Sequence, residues 1–217
     1  MLAGYLFIAP NLVSILVFVA GPVLAGLVLS FMEWDLLSTP IWVGLDNYIK
    51  MFTKDNLFWK SLWNSIYYSI LTIPVGIGIS LILAILVNRD MPGINFFKSA
   101  LFLPVVSAIT AIALVWKWLY NPEFGIFNYI LELLGLPPLD WLNDPRLAMP
   151  SIALMSIWKN MGYNMVILLA GLKGIPRQLY EASAIDGASG WTTFRYITVP
   201  LLTPVLFFVF VTSTIGS

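Results

Sequence analysis

The chain contains no cysteine and no histidine. Their absence excludes disulfides, Cys/His zinc sites, haem held by histidine, and any nucleophile activated by a histidine base. Charge is scarce too. Only 10% of residues are charged, and 11 basic residues cancel 11 acidic ones. A net charge of zero gives a nucleic acid no basic surface to bind, so no nucleic-acid partner is expected. The sequence also has no G-x-x-x-x-G-K-[ST] loop to cradle a nucleotide's phosphates. No cofactor or metal is expected in this chain, and any ATP it depends on must be bound by another.

What the chain has in abundance is oil: 59% of residues are hydrophobic. A soluble domain needs more polar surface than that, so the expected fold class is all-α, a polytopic transmembrane helical bundle in contact with membrane lipid. Tyr5 to Met32 is the first apolar run, too long for a signal peptide and without basic residues before it. Glu33 to Lys60 reads as a polar, aromatic external loop. A second span covers roughly 62–87 and is interrupted by Pro74, Gly76 and Gly78. Proline there leaves the Ile70 carbonyl without its helical partner. A packing kink and a hinge both fit that feature.

The turn 88–98 carries Arg89, Asp90, Pro92, Gly93 and Lys98. One third span is expected over about 99–119, with Pro104 early in it and Lys117 at its outer end. Residues 121–150 form a second polar loop, with a short amphipathic helix over 126–134. The fourth span runs over about 151–172. A fifth opens at Pro200 and has eighteen residues by Ser217, a rise of about 27 Å that falls slightly short of the hydrocarbon thickness. The reading is therefore of a partial domain over 1–217 with an incomplete fifth span.

Loop charges orient these spans. Arg89, Lys98, Lys173, Arg177 and Arg195 are dense in the 88–98 turn and the 173–199 loop. Lys50, Lys54, Lys60 and Arg146 are spread thinly through the longer loops opposite. Basic density marks the cytoplasmic side, and every tryptophan but Trp191 lies in or beside the other set, as an outer interfacial belt.

The 173–199 segment is a polar island in this chain. Pro176 is placed for a first helical turn, and Leu179, Ala182 and Ile185 share one side of the helix it opens, apart from Arg177, Glu181 and Ser183. Gly187 is placed to end that helix in the left-handed conformation. An amphipathic helix in the headgroup layer and a docking finger for a soluble partner both fit these residues. The fourth span contains Lys159, Asn160, Gly162, Tyr163 and Asn164. Polar groups there are costly against lipid, so they should face the bundle interior or a watery cavity. Lys159 can instead snorkel to the outer interface, and the asparagines can simply bridge helices.

Glu181-Ala182-Ser183, then Asp186-Gly187-Ala188, Phe194, Ile197 and Val199-Pro200, resemble the EAA loop of ATP-binding-cassette importer permeases, in particular the carbohydrate-uptake branch. Ser183 and Val199 depart from that pattern, where alanine and leucine are commoner. The resemblance implies a six-span subunit in the inner membrane of a bacterium or archaeon. It also implies a second permease subunit, two cytoplasmic ATPase subunits that bind Mg-ATP, and an extracytoplasmic solute-binding protein. In the likeness, Glu181 pairs with a basic residue of the ATPase, and the polar stretch of the fourth span lines a path for sugars. The chain itself would not be an enzyme. An ion-coupled transporter should instead show repeats and intramembrane carboxylates, of which the spans carry none. A non-transporting scaffold would have no use for a polar face in the fourth span.

Overall fold

The computed structural model describes residues 2–89 and 91–217; Asp90, counted above among the turn's charges, lies outside the described residues. The chain divides into two compact units, Met1–Trp63 and Asn64–Ser217.

In the first unit, α1 (Leu2–Ile15) and α2 (Gly21–Leu29) flank a π-turn over Leu16–Ala20. Its cause is the next residue but one, Pro22. A proline ring runs into the carbonyl four residues back, and a wider turn moves that carbonyl aside. The Gly21 amide accordingly donates to the Leu16 carbonyl, five residues back. Two short strands, β1 (Met32–Glu33) and β2 (Ile41–Trp42), pair antiparallel before α3 (Asp46–Thr53). They are the only strands among the described residues and do not alter the all-α class. The Asp35 carboxylate accepts from the Ser38 hydroxyl and from the amides of Ser38 and Leu37. These bonds, the hydroxyl's first, hold its pKa down to about 2.

The second unit is built around α8 (Ala148–Lys173). Against it pack α4 (Asn56–Val87), α5 (Ile94–Val106) and α11 (Val199–Ile215). The core is a continuous cluster of Ala84 and Val87 from α4, Met165, Leu168, Leu169 and Leu172 from α8, and Leu202 and Val209 from α11. Most other large apolar side chains are exposed, as a lipid-facing surface requires. The α4 helix begins at Asn56, inside the stretch expected to be loop, and runs through Pro74 without interruption. Among the described residues, four helices are long and apolar enough to cross a membrane, or five if one bent pair is a single span.

That bent pair corrects the sequence expectation. The third span is not one helix: α5 and α6 (Ile109–Leu119) meet at 98°, broken at Ser107 and Ala108, whose backbone is extended. Pro104 weakens the last turn of α5, and the Ser107 hydroxyl donates to the Leu103 carbonyl at 2.9 Å, closing the helix end. Packing decides the rest. While α5 lies along α8, α6 sends Ile112 and Trp116, with Tyr120 just beyond, into a separate aromatic cluster with Phe127, Trp141 and Met155. This cluster also includes α7 (Ile126–Leu133), whose buried Asn128 donates to the carbonyls of Pro122 and Leu139 and accepts from the Leu139 amide and the Trp141 indole.

A second correction concerns the start of the fifth span. The helix expected after Pro176 is present as α9 (Arg177–Ile185) and ends before Gly187; α10 (Gly190–Thr193) and a π-turn over Phe194–Thr198 then lead without a break into α11. The last span thus starts at Gly190, well before Pro200. The π-turn again precedes a proline. The Val199 amide donates to Phe194, and Pro200 is relieved of the carbonyl it would strike.

Candidate functional site

Two features stand out in the second unit: the α9 finger and a polar cavity between helices.

The finger is defined by its ends. Pro176 is the residue just before α9, not within its first turn. At the other end Gly187 has φ +71°. Its amide donates to the Ala184 carbonyl, and the Ala188 amide donates to Ser183, the paired bonds of a Schellman stop. Ser189 then caps α10 through the Thr192 amide. Glu181, Ala182, Asp186 and Ile185 are all exposed; Ala188 is half-buried, and Pro200 is exposed as the second residue of α11. The Glu181 carboxylate sits 2.9 Å from the Arg177 guanidinium, and both side chains are largely in solvent. A surface pair one helical turn apart is worth only about 0.3–0.5 kcal/mol, so a partner's cation can replace it cheaply. Leu179 and Ile185, at 40% and 86% exposure, leave an apolar strip beside that charge. Ser183 points the other way, buried, with its hydroxyl 2.6 Å from that of Thr193.

The cavity, of about 230 Å³, lies between α4, α8 and α11. Tyr68, Thr72 and Gly76 line it from α4, Ser156, Asn160, Tyr163 and Asn164 from α8, and Thr212 and Ser213 from α11. The Tyr68 hydroxyl donates to Ser156 at 2.6 Å, and the Asn164 amide approaches the Ser213 hydroxyl at 3.5 Å. Hydroxyls and amides arranged this way can exchange hydrogen bonds with a polyhydroxyl guest. The volume is below the roughly 300–1,000 Å³ of a drug-sized site, which suits one small polar unit.

Of the residues singled out in the fourth span, Asn160, Tyr163 and Asn164 come together here, whereas Lys159 and Gly162 do not line the cavity. Gly162 faces α5: a side chain there would strike the Leu101 carbonyl. Tyr68 and Thr72 are absent from the sequence reading and Gly76 enters it only as a break in the second span, though their spacing by four places polar and small residues on one face of an apolar helix. The α11 contributors stand in a Thr212-Ser213-Thr214 run that interrupts an apolar helix. Among the described residues no cluster of acidic side chains suits a metal ion.

With this geometry in hand, known proteins are informative. Residues 56–217 match the family described as binding-protein-dependent transport system inner membrane component. The probable ABC transporter permease protein YesP of Bacillus subtilis is 36% identical over all of this chain and 70% of its own length. The lactose transport system permease protein LacF of Rhizobium radiobacter is 35% identical over 99% of this chain and 72% of its own. A crystal structure of a bacterial ABC transporter that imports the acidic polysaccharide alginate superposes with a TM-score of 0.81 at 25% identity, over 96% of this chain and 71% of that one.

Proposed function

Because the chain belongs to the family of inner-membrane components of binding-protein-dependent transport systems, we propose that it is the permease subunit of an ATP-driven importer of sugars or sugar-like solutes. The observation that carries the coupling role is the α9 finger. It is a helix stopped by a left-handed glycine, with an apolar strip turned to water and Glu181 paired, among the described residues, with Arg177 alone. In this reading the finger faces the cytoplasm and inserts into a cleft of an ATPase subunit that holds Mg-ATP; this chain holds no cofactor. Closure of two such ATPases carries the finger inward, and the attached helices rock between access states. A second permease subunit completes the path, and an extracytoplasmic binding protein delivers solute to it. Relatives named for lactose and alginate transport support a carbohydrate cargo.

The test is retention of the ATPase. Glu181→Lys replaces an attraction with a repulsion, and the pulled-down ATPase should fall by about tenfold or more, the value of one charged hydrogen bond. Membrane insertion should be unchanged. Full retention by Glu181→Lys would place the docking surface elsewhere. The cavity has its own test. Asn160→Leu removes an amide at the guest's position and should raise the half-saturating solute concentration for uptake by about fivefold, with normal ATPase retention. Unaltered uptake would remove Asn160 from the path.

A further inference from the structure

We propose that Ser183 and Thr193 are positioning residues that clasp α9 to the turns leading into α11, so that a push on the finger moves α11 with it. This inference rests on the coupling role given to α9 above. Ser183 is buried at 7% exposure in a helix otherwise turned to water, and its hydroxyl shares a 2.6 Å hydrogen bond with Thr193. One turn earlier, the Tyr180 hydroxyl lies 3.2 Å from that of Thr198, itself 6% exposed. Thr193 and Thr198 are five residues apart, which in an α-helix would set them about 140° apart around the axis. The π-turn between them has more residues per turn, narrows that angle, and brings both hydroxyls to the same finger.

Toward α4 and α8 the finger is held differently. A cavity of about 320 Å³ borders the clasp, lined by Tyr180 and Ala184 of the finger, Thr193 and Thr198 of the turns before α11, Asn88 at the end of α4, and Leu172 of α8. Among the described residues, no side chain of α9 hydrogen-bonds to α4 or α8. Directional bonds to the turns before α11 resist slip, whereas toward α4 and α8 the finger has only the apolar packing of Tyr180, which lets it slide. The finger and the start of α11 therefore form one lever that moves against α4.

The cysteine-free sequence allows spin labels at chosen sites in the assembled transporter. One pair, Gln178→Cys with Leu201→Cys, spans α9 to α11; another, Gln178→Cys with Leu86→Cys, spans α9 to α4. Addition of Mg-ATP should leave the first distance within about 1 Å and change the second by about 5 Å. In a Ser183→Ala, Thr193→Val background the first distance should change with nucleotide as well, and Ser183→Thr with Thr193 intact should keep it constant. A merely structural role would broaden both distances with or without nucleotide. Equal changes in both pairs of the parent protein, or no effect of the double substitution, would overturn the clasp alone. If neither distance responds to Mg-ATP, the coupling role falls and the clasp with it.

Discussion

Gly162→Leu is expected to keep the second unit from reaching its folded packing. The missing side chain is what lets α5 touch α8. A Cβ at this position would strike the Leu101 carbonyl oxygen, with the Leu101 carbonyl carbon 2.9 Å and the Phe102 Cα 3.1 Å away. All three are backbone atoms, which cannot swing aside as a side-chain tip can. The helices must separate, and Leu101 is drawn away from the core cluster it packs against. Overpacking that side chains can absorb costs about 1–3 kcal/mol, and a backbone collision costs more. Against a typical total of about 5–15 kcal/mol, that is a large fraction. The thermal midpoint in detergent should fall by about 10 °C or more for Gly162→Leu, and by less for Gly162→Ala. Gly78→Ala is the control, because open space surrounds that position. Equal midpoints for Gly162→Leu and Gly78→Ala would contradict the close approach.

The second large effect is Gly187→Pro, which should abolish solute uptake while the protein still inserts. Proline holds φ near −65°, and this residue sits at +71°. Proline also removes the amide that donates to Ala184. Both features of the helix stop are lost, and the finger can no longer turn back toward α10. Forcing the native turn would cost about 3 kcal/mol or more, so the docked geometry should be depopulated by about a hundredfold. Gly187→Asn should retain most uptake, since asparagine tolerates the left-handed region. The fold itself should survive Gly187→Pro, because the turn is exposed and lies outside the core. Uptake by Gly187→Pro at the parent rate would show that the turn plays no part in transmission.

The apolar spans, the glycine stop after α9 and the polar face of α8 were legible from residues alone. Each is a local matter: a bilayer demands a run of about twenty apolar residues, and a helix end needs a residue that accepts positive φ. Glu181 was legible through a resemblance between short strings, and its exposure followed from the scarcity of charge in this chain. Ser183 stands out in the sequence only as a departure from the commoner alanine, because nothing nearby announces that the Thr193 hydroxyl lies 2.6 Å from its own. Asn160 and Gly162 looked equivalent, two positions apart on one helix, yet one borders a cavity and the other a neighbouring backbone.

By itself, then, the sequence determined that these segments are helices in lipid, where a helix stops, and which residues water or a partner must meet. The tertiary structure alone decided that the third apolar run breaks through 98° and that Gly162 is a contact point. It also decided that a cavity forms from three helices far apart in the chain. The reason is range. Hydropathy and backbone preference act over a few residues, whereas a bend or a cavity reflects surfaces that meet only after the chain has folded back on itself.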